Sequence, residues 1–118
     1  MEEWQAEIKL RFKGLFKITV RFSFEWRAWL LAYDIFNCSP KEFSKLDLDK
    51  QFTAISYGAA AWDLMKRRKG VFFTYDNIVQ ALSDASKADN QRLAKAMEYA
   101  QFPEWLKSEG DKKKVTGK

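Results

Sequence analysis

LDKQFTAISYGAAAWDLMKRRKG (48–70) is the stretch whose reading decides the fold. Leu48, Phe52, Ile55, Ala59 and Trp62 recur at steps of four and three, which puts them on one side of an α-helix, expected to face a core. Gly58, Ala59, Ala60 and Ala61 leave a shallow surface at mid-helix, where the backbone of another element can come close. A central helix over 48–69 follows, with no catalytic or metal-binding spacing in it.

The two ends of this helix carry their own signals. Asp47 or Asp49 can accept from the free amides of the first turn, and its charge suits the positive end of the helix dipole. Lys66, Arg67, Arg68 and Lys69 crowd the last turn, with Gly70 placed to take the left-handed conformation that closes a helix. The basic run thus has an ordinary helix-end explanation. The same four cations are also candidate contacts for an acidic partner.

Upstream the period changes from helical to two. Ile8, Leu10, Phe12, Phe16, Ile18, Val20, Phe22 and Phe24 are apolar at even positions, and Lys9, Arg11, Lys13, Lys17, Thr19, Arg21 and Ser23 are polar between them. This is a β-hairpin over about 6–23 with one face buried. A three-residue loop, Phe12-Lys13-Gly14, keeps apolar residues opposite apolar ones, pairing Leu10 with Phe16 and Ile8 with Ile18, with positive φ at Gly14. The outer face is then basic, with Lys9 opposite Lys17, and Lys9, Arg11, Lys17 and Arg21 join the candidate partner contacts. Its plain reading is a solvated face that discourages edge pairing.

Between hairpin and central helix, Ser23 can cap an almost wholly apolar helix over 24–36, which must be covered on most sides. Asn37 and Pro40 end it, and Ser39-Pro40-Lys41-Glu42 reads as a capping box opening a short helix over 40–45. Downstream, Thr74 caps a helix over 75–84, with Phe73 able to staple against Ile78. A polar bend leads to a last helix over 88–101, stopped by Pro103. Trp105 and Leu106 are placed back on the core, and 109–118 has the composition of a disordered basic tail. The reading is one α+β domain over 1–108: a β-hairpin followed by a compact bundle of four to five helices.

Composition narrows function. The chain has 118 residues, ten Phe, five Trp and four Tyr, enough for one aromatic-rich core. Its longest apolar run, 26–36, is interrupted by Arg27 and Asp34 and is about half of a membrane span, so no membrane association is expected. The acidic N-terminus does not read as a signal peptide, and the lone Cys38 agrees with a reducing compartment. With no His, the Ser-His-Asp and Cys-His schemes and the usual zinc sites are excluded. No cofactor, metal or catalytic residue is expected, and Tyr57, Tyr75 and Tyr99 read as aromatic core or rim. The net charge of +5 sits at the ends: residues 1–27 contribute +2 and 107–118 contribute +3. That weakens the case for a broad nucleic-acid-binding surface.

The order of elements resembles a known family. A basic-aromatic hairpin (FKITVRFSF) leads into an aromatic helix, then ISYGAAAWDLMKRRKG, then FTYDNIVQALSD and a charged tail. Over residues 15–100 this is similar to the tail assembly chaperones of long-tailed bacteriophages and prophages. The resemblance rests on element order and loose patterns rather than a diagnostic motif. It implies a non-enzymatic protein, made in the host cytoplasm, which binds the tape-measure protein or the tail-tube subunits during assembly and is absent from the finished virion. Self-association is a further option, and the family has no catalytic residues to carry over. Many members append a second domain by a ribosomal frameshift, for which the codons of Lys112, Lys113 and Lys114 would be the place. The alternative is a small basic protein that associates with nucleic acid through the hairpin face and the Lys/Arg clusters.

Overall fold

The computed structural model describes residues 1–103. It is an α+β fold in which a two-stranded antiparallel hairpin precedes five helices. The strands are β1 (Gln5–Phe12) and β2 (Phe16–Ser23). The helices are α1 (Trp26–Phe36), α2 (Pro40–Phe43), α3 (Leu48–Lys66), α4 (Tyr75–Asp84) and α5 (Lys87–Glu98). The expected basic tail, 109–118, and the expected return of Trp105 and Leu106 lie outside the described residues.

The hairpin buries its even-numbered face: Ala6, Ile8, Leu10 and Phe12 from β1, Val20 and Phe22 from β2, and Phe24 just beyond. Its register differs from the expected one by two residues. Phe12 pairs with Phe16, Leu10 with Ile18 and Ile8 with Val20, so Lys9 faces Thr19 and Lys17 faces Arg11. The loop is Lys13-Gly14-Leu15, closed by the Leu15 N–H on the Phe12 carbonyl at 3.0 Å. Lys13 (φ 54°) and Gly14 (φ 68°) both take positive φ, as the central residues of a type I′ turn do. A slip of two keeps every side chain on its own face, so alternation alone could not separate the two registers.

α3 is buried nearly all round at mid-length. Ala54, Ile55, Ser56, Gly58, Ala59, Ala60, Ala61 and Asp63 are covered, and α1 and β2 are its main neighbours. Leu48, expected on the inward stripe, is instead 80% exposed at the N-terminal end of the helix. The close approach expected at the small residues is made with α1. A Cβ on Gly58 would lie 2.1 Å from the Ala28 carbonyl oxygen, so only glycine lets the two helices cross at this depth. α1 presents Ala28 and Ala32 to the contact, both fully buried.

Helix boundaries follow from their caps. α1 starts at Trp26 rather than 24, because the backbone of Phe24 and Glu25 stays extended. The Phe24 N–H donates to Trp4, and Gln101 pairs beside Glu25, accepting from the Trp26 N–H and donating to the Phe24 carbonyl. Ser23 is therefore no cap; its hydroxyl is spent elsewhere. Asp47 caps α3, Ser39 and Thr74 form capping boxes with Glu42 and Asn77, and Ser86 caps α5. α3 ends three residues before the expected position. Arg68, not Gly70, takes the left-handed conformation (φ 59°), with Lys69 N–H on the Leu64 carbonyl and Arg68 N–H on that of Met65. That is the six-to-one and five-to-two pattern of a Schellman ending. α5 ends at Glu98, ahead of Pro103, since the chain then turns to lay Gln101 beside Glu25.

Candidate interaction surface

The eight candidate cations are not equivalent. Arg21 reaches Glu7 across the strands at 3.3 Å. Lys66 donates to Glu25 at 2.7 Å and lies 4.8 Å from the centre of the Trp4 ring. The same Glu25 oxygen accepts from the Trp62 indole at 2.8 Å, so Lys66 ties the N-terminal segment and the entry to α1 onto α3. Arg67 donates through Nε to the Asp63 carboxylate at 2.8 Å. These three are occupied inside the fold. Lys9, Arg11, Lys17, Arg68 and Lys69 are exposed and form no ion pair among the described residues.

Asp63 is the polar centre of the fold and had no signal in the sequence pattern. Its side chain is fully buried, accepts from the Ser23 hydroxyl at 2.8 Å and pairs with Arg67 one turn on. Ser23 in turn accepts from the Gln5 amide at 3.0 Å. Both strands are thereby fastened to α3. A carboxylate taken out of water is tolerable only when it is matched in this way by a cation and hydrogen-bond donors. This is a structural network, facing inward.

The basic hairpin face meets carboxylates at one margin. Lys9, Arg11 and Lys17 line a cleft of about 280 Å³ together with Asp84 and Asp89 at the α4–α5 junction. Arg92 beside it donates to the Glu7 carbonyl at 3.0 Å. Among the described residues no group of three or more His, Cys, Asp or Glu is arranged to hold a metal ion. No helix among them is long and apolar enough to cross a membrane. Tyr75 shares a hydrogen bond with Thr53 and packs edge-on against Tyr57 and Phe36, an aromatic role. Tyr33 is held above the ordinary tyrosine range, chiefly by burial and further by the neighbouring Cys38.

What sequence reasoning missed is apolar. Leu15 is 75% exposed, Phe16 56% and Phe72 57%, all at the distal end of the hairpin and in the α3–α4 connection. Phe16 stands opposite Phe12, whose ring lies 6.0 Å from that of Phe72 and 6.0 Å from the buried Phe73. Parity predicts Phe16 on the buried face, but the cover that buries Phe12 does not reach its partner across the ladder. The available signal was the placing of two apolar pairs, Leu15-Phe16 and Val71-Phe72, at connections, where polar residues are usual. The chain matches no family model, no curated protein and no solved structure.

Proposed function

We propose that the protein is a non-enzymatic assembly chaperone of the phage-tail kind, which binds the tape-measure protein or tail-tube subunits while the tail is being built. The observation that carries this reading is the apolar end of the hairpin. A fold that seals Phe22, Phe24, Ile78 and Leu93 completely leaves Leu15, Phe16 and Phe72 in water. Solvent-facing apolar residues gathered at one place are characteristic of protein contact sites. The order of elements supports the family reading, and the chaperone would act in the host cytoplasm and leave before the virion is complete.

The test is co-expression with the tape-measure protein and with the tube subunit of the tail gene cluster that encodes this chain. Recovery of either one in soluble complex with the chain supports the reading. A tape-measure protein and a tube subunit that both behave identically with and without the chain overturn it, as does a gene with no tail cluster around it. The second reading, nucleic-acid association, draws on the five unpaired cations, yet Asp84 and Asp89 interrupt the basic face where a phosphate backbone would run.

A further inference from the structure

The distal end of the hairpin combines exposed apolar side chains with cations from both of the segments that build it. Leu15, Phe16 and Phe72 are open to solvent; Phe12 is the ladder partner of Phe16, and its ring lies 6.0 Å from that of Phe72. Lys13 stands in the turn and Lys69 is three residues before Phe72; both are exposed. No Asp or Glu occurs between Glu7 and Glu25, nor between Asp63 and Asp76, so both segments that build this end contribute cations only. We propose that this end is a docking surface for an amphipathic α-helix of a partner protein, with an apolar stripe flanked by Asp and Glu. The proposal rests on the binding-protein reading above and names the chemistry of the bound segment.

The geometry favours a helix. The apolar residues come from two separate segments, a turn and a helix connection, and one helix about 10–12 Å across can touch both with residues spaced by three and four. Acidic flanks would meet Lys13 and Lys69, which steer encounter and fix orientation. A second copy of this chain is a poor occupant, because it would bring the same cations to the same place. Single-stranded nucleic acid fits less well, since Leu15, the most exposed of the three, offers no ring for a base to stack on.

The experiment uses the full chain and a fluorescein-labelled synthetic helix of roughly 20 residues, with Leu along one stripe and Glu on both flanks. Anisotropy is read for the wild type, for Leu15→Ser/Phe16→Ser/Phe72→Ser and for Lys13→Glu/Lys69→Glu. We expect binding to the wild type, weakened by salt, and a loss of about tenfold or more in each variant. Circular-dichroism melting confirms that the variants fold; should the triple apolar variant fail to, Leu15→Ser alone carries the test. Absence of peptide binding, equal binding by the variants, or tighter binding of single-stranded DNA or phosphatidylserine vesicles through these same residues overturns the proposal. If the peptide fails while tape-measure protein is still captured, the surface is wrong and the chaperone reading stands. If the peptide binds here while neither tail protein is captured, the reverse holds.

Discussion

Gly58 of α3 and Ala28 of α1 are in backbone contact: a methyl group on Gly58 would stand 2.1 Å from the Ala28 carbonyl oxygen. Alanine is the better helix former by about 1 kcal/mol, so an unhindered Gly58→Ala change would stabilise the protein. Here the neighbour is main chain and cannot step aside without parting the two helices. We expect a net loss of ~3 kcal/mol, at the upper end of ordinary overpacking. Urea unfolding measures it, and a gain in midpoint would show that the helices do not cross at this depth.

Arg68 closes α3 in the left-handed region at φ 59°, where a Cβ is crowded. Replacing it with glycine should raise stability by about 1 kcal/mol, while Gly70→Ala should change little, since a Cβ at Gly70 meets nothing within 4 Å. A comparison of the two melting temperatures decides whether the helix ends as described.

Removing Asp63 leaves the Ser23 hydroxyl buried without its acceptor and Arg67 without its partner. Asp63→Ala is expected to cost ~3 kcal/mol, discounted from the value for a wholly buried pair because Arg67 keeps some water contact. Asp63→Asn retains an acceptor for Ser23 and should fall between. Equal stabilities for the three proteins would mean that the strands are not tied to α3 through this group.

Glu42 accepts the Ser39 N–H in the capping box and pairs with the Ser39 hydroxyl, which holds its carboxyl below the ordinary glutamate range. A depressed native value means that its contribution is present above the unfolded value and is lost as pH falls through the folded one. Stability measured from pH 6 down to 3 should therefore contain a component that Glu42→Gln lacks. Parallel pH profiles would contradict it.

The types and order of the elements were legible because each carries its own period: two in the hairpin, 3.6 in the helices, with capping residues at Ser39, Asp47 and Thr74. The misreadings have physical causes. A register slip of two leaves the same faces buried, and nothing in the local pattern marks Lys13 as a residue with positive φ. Gly70 looked the better helix terminator than Arg68, yet it is the Lys69 and Leu64 hydrogen bond that places the end. Asp63 and Ser23 are partners forty residues apart, beyond the reach of any periodicity. Of the candidate surface, the cations were visible as a list, but which of them the fold consumes depends on Glu7, Glu25 and Asp63 arriving in space. Alternation told which face of the hairpin is apolar and could not tell where its cover ends.

The most direct test of the proposed chaperone role mixes purified chain with the tape-measure protein that the proposal makes its partner and follows light scattering as the latter is released from denaturant. The account predicts that wild-type chain keeps it in solution, and that Leu15→Ser/Phe16→Ser/Phe72→Ser, folded and melting as the wild type does, lets it aggregate. Protection by the apolar variant equal to that by wild type would contradict the account.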